Sequence, residues 1–380
     1  MRKPELCGFI LLIGPLIWGG DFPPETEFTA VEAPPFERPN YLETSPDPSY
    51  GNPVTRITDS KVFGYENPRH GYSKNQPWNA DQSLLRIRDR LLDGNTYQLL
   101  RKFPYLDEAK WSHTDPRHMY GFQGKGRFVR LILPHDQIEV LHTFEGYDEV
   151  RMGPWEGNLS YDDRLVVIAA RKGEDLSVIV YHIGEEKIRS QKEFPGAWKR
   201  LDWVSISPSG KYVLFNWVPD AASKGKVIDC YDVEMTFLRR LANRGGHGDM
   251  GFAEDGTELY AQFEFADQRG IWAYEIHSGK RIRLLPDKYN GGHLSFQNSQ
   301  RPGWCYLSCN KKGYDEVFAV KTDGSGIVNR FAHHYSQSTE YRSEVQAVPN
   351  PGGTKVIFAS NWNGEEEVNS YVVEVNHGKN

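Results

Sequence analysis

Histidine, arginine, lysine and aromatic residues recur close to a series of polar turns that divide the sequence at regular intervals. A charge that is removed from water must be paired, so such residues cost stability when they are brought together unless they are used. Taken singly, each of them could instead be a hydrogen-bonded residue around trapped water. The candidates are Arg69, His70, Tyr72, Ser73, Lys74, Trp111, His113, Arg151, Trp155, Lys199, Arg200, Asp202, His247, Asp249, His293, Ser295, Tyr341, Arg342, Glu344 and Gln346.

These residue types suit an acidic sugar. Arginine binds a carboxylate through two parallel hydrogen bonds, and tryptophan or tyrosine stacks on the apolar face of a pyranose. A histidine or tyrosine beside that arginine can remove the proton next to the carboxylate, while the arginine offsets the negative charge that develops. β-Elimination of a uronic-acid polysaccharide needs this neutralising group, a base at C5 and an acid for the leaving O4.

We assign one residue or pair of residues to each of these roles. Arg200 is assigned to the substrate carboxylate, since the arginine fork matches it. His113 or His247 is assigned to the C5 proton, because the unperturbed pKa of histidine lies near neutrality. Tyr72 or His70 is assigned to the leaving oxygen. The residues expected to bind the rest of the substrate are Arg69, Lys74, Trp111, Trp155 and Arg342.

A second group of residues has the chemistry of zinc ligands. The group consists of His293 in GGHLS, Cys305 in GWCYLS, and His333 with His334 in AHHYS. Cysteine and histidine together suit a structural zinc, although the spacing matches no compact zinc motif. The alternative is a buried cysteine in a strand with two exposed loop histidines. Apart from this zinc, we expect no cofactor.

A repeat organises the chain. A short strand, a polar turn and an apolar strand recur, with landmarks at Asp81, Asp115, Asp162, Ser209, Asp255, Gln300 and Gly352. The steps between them are 34, 47, 47, 46, 45 and 52 residues. About four strands fit in each of seven units, which is typical of an all-β, seven-bladed β-propeller over residues 54–376. The alternative is an eight-stranded barrel or a pair of sandwiches.

The last unit of the repeat is one strand short. The stretch PVTRITD, at residues 53–59, has the character of an isolated outer strand. We therefore expect the propeller to be closed by this N-terminal strand. In such a ring the innermost strand of each unit lines the channel, and loops at one mouth form the site.

Composition and the N-terminus limit the class of protein. The chain has 380 residues, 38% of them hydrophobic, and a net charge of −6, which argues against nucleic acid as a partner. Residues 1–20 have the pattern of a signal peptide, with an uncleaved anchor as the alternative, and residues 21–53 read as a Pro-rich tether with little structure. We expect a secreted or periplasmic monomer without stable membrane insertion after signal removal.

The cysteines give no disulfide framework. After signal removal Cys230, Cys305 and Cys309 remain. Cys305 and Cys309 lie about 13 Å apart if they share a strand, which is too far for a disulfide. Two alternatives are open: one disulfide that includes Cys230, or a thiol that is free or bound to a metal.

Several stretches carry a family resemblance. RHGYSKNQPWNADQSLL, WSHTDPRHMYGF, VSISPSGKYVLFNW, GGHGDMGFAEDG, RPGWCYLS and AHHYSQSTEYRSEVQAVPNPGGTKVIFASNWNG resemble bacterial seven-bladed propellers related to polysaccharide lyases. The chain is similar to ulvan lyases and, more distantly, to oligogalacturonate lyases, over most of residues 53–375. The resemblance implies cleavage of an ulvan- or rhamnoglucuronan-like polysaccharide. It also implies a histidine and a tyrosine as base and acid, an arginine neutraliser and, in some members, a structural zinc.

The match to the family is partial. Residues of the matching types are His113 or His70, Tyr72, Arg200 and His247. Oligogalacturonate lyases hold a manganese-type ion with a His-x-His pair, and the corresponding positions here are Glu344 and Gln346. Neither is histidine, which weakens cleavage of pectic oligomers as the function.

Two other functions remain open. Propellers of this kind include rhamnosidase-like glycosidases and TolB-like binding domains, so the fold does not decide between them. A glycoside hydrolase acting beside a uronate needs placed carboxylates, for which Asp202, Asp249 and Glu344 are the candidates. A non-catalytic propeller that binds protein or glycan needs no catalytic group.

Overall fold

The computed structural model describes residues 29–218, 226–265, 268–289, 291–310, 313–365 and 367–375. The expected signal peptide at residues 1–20 lies outside these residues. Within them no helix is long and apolar enough to span a bilayer. The chain forms seven antiparallel sheets, and in the first six the strand order follows the chain order. This confirms the all-β, seven-bladed propeller.

The N-terminal strands close the ring, as expected. Strand β1 (Thr44–Pro46) pairs with β2 (Pro53–Arg56), and β2 pairs with the last strand of the chain, with Val54 opposite Val373. Because both ends of the chain contribute to the seventh sheet, the ring closes by backbone hydrogen bonds. A single-turn helix follows, α1 (Ser60–Phe63), whose first turn is capped by the Asp59 carboxylate.

The first three blades follow α1 along the chain. Blade 1 has three strands, and at its innermost position a single backbone bridge joins Trp78 to Leu85. The strands of blade 1 are β3 (Leu84–Ile87), β4 (Arg90–Asp93) and β5 (Leu99–Lys102). Those of blade 2 are β6 (Asp107–Trp111), β7 (His118–Phe122), β8 (Arg127–Ile132) and β9 (Gln137–Thr143). Those of blade 3 are β10 (Glu149–Arg151), β11 (Leu165–Lys172), β12 (Asp175–His182) and β13 (Lys187–Phe194).

The next four blades repeat this order from the axis outward. The strands of blade 4 are β14 (Leu201–Ile206), β15 (Tyr212–Trp217), β16 (Lys226–Asp232) and β17 (Phe237–Gly245). Those of blade 5 are β18 (Gly248–Phe252), β19 (Glu258–Glu264), β20 (Gly270–Glu275) and β21 (Arg281–Pro286). Those of blade 6 are β22 (Gly292–Ser295), β23 (Trp304–Cys309), β24 (Glu316–Lys321) and β25 (Val328–His333). Blade 7 runs β26 (Val348–Pro349), β27 (Lys355–Ser360), β28 (Asn369–Glu374), β2 and β1.

Apolar side chains of the middle strands form the core between neighbouring blades. Strand β11 buries six of its residues in a row, Leu165 to Ala170, because blades cover both of its faces. Val167 and Val178 of blade 3 belong to the same buried cluster as Val213 and Phe215 of blade 4. Each such side chain contributes roughly 1.5–3 kcal/mol by leaving water. The core therefore fixes the angle between blades and, with it, the inner strands.

Part of the expected tether is structured. Residues 29–52 pack on blades 6 and 7, where Asn52 donates a 2.8 Å hydrogen bond to the Phe331 carbonyl. The Asp47 carboxylate accepts one of 3.0 Å from the His333 backbone. The expectation of little structure is therefore wrong for this part of the segment, whose turn at Asp47 buries polar groups that find partners. Cys230, Cys305 and Cys309 are buried, and Cys230 and Cys305 form no disulfide among the described residues.

Candidate active site at the channel mouth

One face of the ring collects the residues that precede the inner strands. The six inner strands β6, β10, β14, β18, β22 and β26 occupy equivalent places in their blades, so they run in the same direction. Their first residues therefore lie on one face, which we call the mouth, and the polar turns that follow them lie on the opposite face. Position relative to the inner strand thus decides the face to which a side chain belongs.

Residues 69–77, which we call the channel segment, cross the channel. The Lys74 ammonium lies 2.9 Å from the Glu156 carboxylate of blade 3 and 3.6 Å above the Trp203 ring of blade 4. Two positions on, the Gln76 amide donates to main-chain carbonyls of blades 6 and 7, at Gln297 and Pro349. Contacts to four blades hold this segment at the centre of the ring, and Lys74 is only 3% exposed.

Residues 152–158 form the blade 3 bulge, which interrupts that blade's inner strand. Gly153 has φ of +61°, and a Cβ atom there would lie 1.7 Å from the Val204 carbonyl oxygen. Only glycine allows this close approach of two backbones. The bulge presents Trp155, which is 55% exposed, and Glu156, which meets Lys74. Sequence reasoning missed Glu156, although its GPWEG context is a turn signal.

His247 and His293 form a stacked pair at the mouth. Their ring centroids are 4.5 Å apart with an interplanar angle of 19°. His247 is exposed, and its Nδ1 lies 3.1 Å from the Gly292 carbonyl oxygen. Since a carbonyl can only accept, Nδ1 carries the proton, and Nε2 of the neutral ring keeps its lone pair. His293 beneath it is 1% exposed, and burial holds its pKa well below the usual value.

Glu344 and Gln346 sit beside this pair. The Gln346 amide donates to the Glu344 carboxylate at 3.0 Å, and its nitrogen lies 3.1 Å from His293 Nε2. The Glu344 carboxylate is 3.7 Å from the same His293 nitrogen. Burial raises the pKa of Glu344, and the nearby His247 opposes that shift. The two positions thus share a site with both histidines.

Arg69 and Tyr72 complete the mouth. The Arg69 guanidinium donates long hydrogen bonds to the main-chain carbonyls of Tyr341 (3.3 Å) and Glu344 (3.4 Å), and its pKa is lowered by burial. The Tyr72 ring meets His293 edge-on at 5.3 Å. Burial, and then the carboxylate of Glu156, hold the pKa of Tyr72 far above its usual value. A tyrosine in this state stays protonated and can donate a proton only to a strong base.

His113 and Trp111 do not belong to the mouth. His113 follows the inner strand β6, and its backbone N–H donates to Asp163 in the polar turn of the next blade, at 2.9 Å. This places His113 on the opposite face from His247. Trp111 is 3% exposed and donates from Nε1 to the Pro77 carbonyl at 2.9 Å, so its faces are covered by protein. Their assignments as base and as sugar platform are wrong.

His70 has a structural role. Its Nε2 donates to the Gln346 carbonyl at 2.7 Å, and its Nδ1 accepts from the Ser370 hydroxyl at 3.0 Å. It is 2% exposed, and burial lowers its pKa to about 3. With both nitrogens engaged, His70 cannot serve the leaving oxygen. It instead holds the Gln346 backbone against the channel segment.

Arg200 and Arg342 lie at the rim. Arg200 ends the 3-10 turn Trp198–Arg200 and is exposed, and Arg342 lies in the turn Tyr341–Ser343, paired with Glu340. Arg69, not Arg200, is the arginine in contact with the Glu344 backbone. Arg69 is therefore the arginine that lies among the residues of the mouth.

The residues expected to bind zinc are not brought together. Cys305 lies in the apolar core between blades 5 and 6. His334 bonds through Nε2 to the Cys309 carbonyl at 2.9 Å, and His333 through Nε2 to the Val31 carbonyl at 3.1 Å. In the part of the chain that the structure describes, no group of three or more His, Cys, Asp and Glu is placed to hold a metal. The zinc prediction is wrong because inner and outer strands of one blade lie about 14 Å apart.

Comparisons with known proteins support the fold. No family model matches this sequence, and the search of curated proteins found no significant match. A solved oligogalacturonate lyase in complex with manganese superposes with a TM-score of 0.65 at 14% identity, covering 88% of this chain and 96% of that one. The oligogalacturonate lyase of Vibrio parahaemolyticus gives 0.65 at 15% identity, with the same coverage. A chain of a mitotic checkpoint complex gives 0.53 at 12% identity, covering 90% and 98%. At these identities the likeness shows the propeller fold alone.

The residues at the mouth do not reproduce a manganese site as they stand. His293 and Glu344 are close enough to share an ion, but the lone pair of His293 Nε2 faces the Gln346 amide. His247 stacks on the His293 ring, with its Nδ1 held by a backbone carbonyl. Among the described residues these side chains do not form a group of three or more ligands placed to hold a metal.

Proposed function

We propose that this protein is a carbon–oxygen lyase that cleaves a uronic-acid-containing polysaccharide or oligosaccharide by β-elimination. The observation that carries the proposal is His247, whose Nδ1–H is bound to the Gly292 carbonyl, so that Nε2 keeps a lone pair that no described residue engages. The fold shared with the oligogalacturonate lyases adds support at the level of architecture.

His247 acts as the base in this proposal. Its Nε2 takes the proton from C5 of the uronate, and the electrons of that C–H bond form the new C4–C5 double bond as the C4–O4 bond breaks. Stacking on His293, which burial keeps neutral, holds the ring in place without a competing charge. A positioned base of this kind contributes roughly 10²–10⁴-fold in rate.

Arg69 and Tyr72 serve the carboxylate and the leaving oxygen. The Arg69 guanidinium lies 5.4 Å from the Tyr341 ring and donates two long hydrogen bonds to carbonyls, which a substrate carboxylate can replace with shorter, charge-assisted bonds. That contact stabilises the negative charge that develops on the carboxylate. The Tyr72 hydroxyl stays protonated and donates to the departing O4, an alkoxide strong enough to accept its proton. We propose an ulvan- or rhamnoglucuronan-like chain as the substrate.

The glycoside hydrolase alternative has weaker support. Asp249 is 3% exposed and accepts from the Phe296 backbone and the Gln297 amide, so it cannot reach a substrate. Asp202 is bound to Lys226 at 2.7 Å. Glu344 is partly exposed and burial raises its pKa, but hydrolysis needs two placed carboxylates.

The experiment is a screen of anionic polysaccharides followed by ultraviolet absorbance of the unsaturated uronate. Ulvan, rhamnoglucuronan and oligogalacturonates are the substrates to compare. We expect one of them to yield the absorbing product, and His247→Ala to reduce the rate at least 100-fold, as loss of a general base does. His135→Ala, an exposed residue of the β8–β9 turn, is the matched control. If no uronate polymer gives the absorbing product, the lyase proposal is wrong and a non-catalytic binding propeller is favoured.

We also propose that the protein is exported, because residues 2–20 combine a basic start, an apolar run and small residues. Determining the N-terminus of protein recovered from a secreting host tests this. A mature chain that begins near residue 21 supports export, and one that keeps residues 1–20 contradicts cleavage.

A further inference from the structure

A cavity between blades 1 and 2 opens beside the mouth. It has a volume of about 430 Å³, within the range of roughly 300–1,000 Å³ for small-molecule sites. Arg69 and Trp155 line it as well, so it adjoins both the mouth and the blade 3 bulge. The remaining charged and aromatic residues of its wall are Arg86, Arg88, Tyr105, Asp107 and Glu108.

The cations of this cavity are less well compensated than its anions. Asp107 pairs with Arg151, and the Glu108 carboxylate accepts the Met152 backbone N–H at 2.7 Å. The Arg86 Nε, by contrast, is buried without a hydrogen-bond partner among the described residues. Arg88 lies 4.7 Å above the Tyr65 ring. The other two nitrogens of Arg86 donate to the main-chain carbonyls of Arg88 (3.4 Å) and Ala109 (2.9 Å). The carboxylates of this wall are engaged, whereas the described partners of the Arg86 and Arg88 guanidinium groups carry no charge, which favours an anionic ligand.

Two aromatic side chains stand at the rim of the cavity. Trp155 is 55% exposed and Tyr105 is 60% exposed. The Arg151 guanidinium stacks on Trp155 at 4.7 Å, which fixes the orientation of the indole. Large exposed aromatic surface next to a polar pocket is typical of a recognition site, and flat rings pack against the apolar face of a sugar.

From these observations we infer that the cavity is a subsite for a second acidic sugar of the chain that is cleaved at the mouth. Arg88 binds its carboxylate or sulfate, Arg86 adds positive charge to the wall behind it, and Trp155 packs against its ring. Arg69 lies between the two sugars, since it lines both the mouth and the cavity. The inference rests on the proposed function for the identity of the chain, but the binding of an acidic oligosaccharide can be measured without turnover.

The test is isothermal titration of two- and four-sugar oligosaccharides from ulvan and from oligogalacturonate. The titrations use the full-length His247→Ala protein, which binds without cleaving. We expect Arg88→Gln and, separately, Trp155→Ala to weaken binding of the four-sugar ligand about tenfold, the loss of one charge-assisted contact. Binding of the two-sugar ligand should change less than twofold. Arg127→Gln, an exposed arginine at the start of β8, is the matched control.

The outcomes test the proposed subsite and the proposed lyase activity independently. Equal affinity of Arg88→Gln, Trp155→Ala and Arg127→Gln for the four-sugar ligand overturns the subsite, whatever the activity. Weaker binding with no ultraviolet product from the unmutated protein supports the subsite and overturns the lyase. A melting temperature within a few degrees of the parent protein shows that Trp155→Ala is folded. If it is not, Arg88→Gln, whose guanidinium is exposed, decides alone.

Discussion

The ammonium of Lys74 lies 2.9 Å from the carboxylate of Glu156, and this ion pair joins the channel segment to the blade 3 bulge. Both segments interrupt the regular blade pattern, and each places residues of the site. The channel segment carries Arg69 and Tyr72, whereas the bulge carries Trp155. The ion pair therefore couples the positions of Arg69 and Tyr72 to the position of Trp155.

Lys74→Met is expected to weaken both stability and substrate binding. It leaves the Glu156 carboxylate without its cation, so the free energy of unfolding should fall by about 1–3 kcal/mol. The bulge should then hold Trp155 less firmly, which raises KM more than it lowers kcat. Urea denaturation and steady-state kinetics measure the two effects. Lys187→Met, an exposed lysine of β13, is the control, and identical behaviour of the two variants would contradict the coupling.

His70 makes stability depend on pH. Burial lowers its pKa in the folded chain to about 3, against 6.5 in the unfolded chain, so between these values only the unfolded chain binds the proton. Stability should therefore fall as pH is lowered from 6.5 toward 3, by up to about 1.4 kcal/mol per pH unit. In His70→Gln this contribution is absent. Denaturation at several pH values should show a flatter profile for His70→Gln than for His135→Gln, and equal slopes would refute the assignment.

Closure by β2 predicts a graded response to truncation. Deletion through Arg38 removes the contact of the Phe36 carbonyl with Trp362 and lowers the melting temperature moderately. Deletion through Thr58 also removes the partner of β28 and leaves an unpaired edge, so it should be far more damaging. Melting temperatures measure the difference. Two truncations with equal melting temperatures would show that β2 does not close the ring.

Thr58→Val tests the same closure in a chain that still folds. The Thr58 hydroxyl accepts from the Ser370 backbone at 2.8 Å and donates to Asn369 at 3.3 Å. Loss of the hydroxyl should lower the free energy of unfolding by about 1–3 kcal/mol, because the buried Ser370 N–H and Asn369 side chain lose their partner. Thr143→Val, an exposed position in β9, should change stability little. A Thr58→Val protein as stable as Thr143→Val would count against a structural role for this connection.

Cys305→Ser should affect packing and leave metal content unchanged. Cys305 is fully buried in apolar surroundings, and burial raises the pKa of its thiol well above the usual value. A serine hydroxyl buried there should lower the free energy of unfolding by about 1–3 kcal/mol. Cys230→Ser, at an equally buried position in blade 4, is the comparison. Elemental analysis alongside thermal melting measures both quantities, and loss of one zinc per chain in Cys305→Ser alone would restore the zinc site.

The blade pattern follows from local features of the sequence. Local alternation of apolar and polar residues, and turn residues at a repeating interval, specify strands and their order without reference to distant contacts. The repeat also predicts the role of the isolated strand at residues 53–59, because the last unit has one strand too few and this strand can complete it. Its pairing with β28, at Val54 and Val373, confirms that expectation. The residue types at the mouth also led to the prediction of an acidic ligand.

Which of these residues meet depends on how the blades are arranged around the ring. His113 and His247 lie at similar places in the repeat, but one follows its inner strand and the other precedes it, which puts them on opposite faces. His293 and His333 belong to one blade, yet three strand spacings, about 14 Å, separate the inner from the outer strand. The burial of His70 likewise depends on contacts with Gln346 and Ser370, about 300 residues away along the chain. Radial distance and strand direction are properties of the closed ring, which no local pattern encodes.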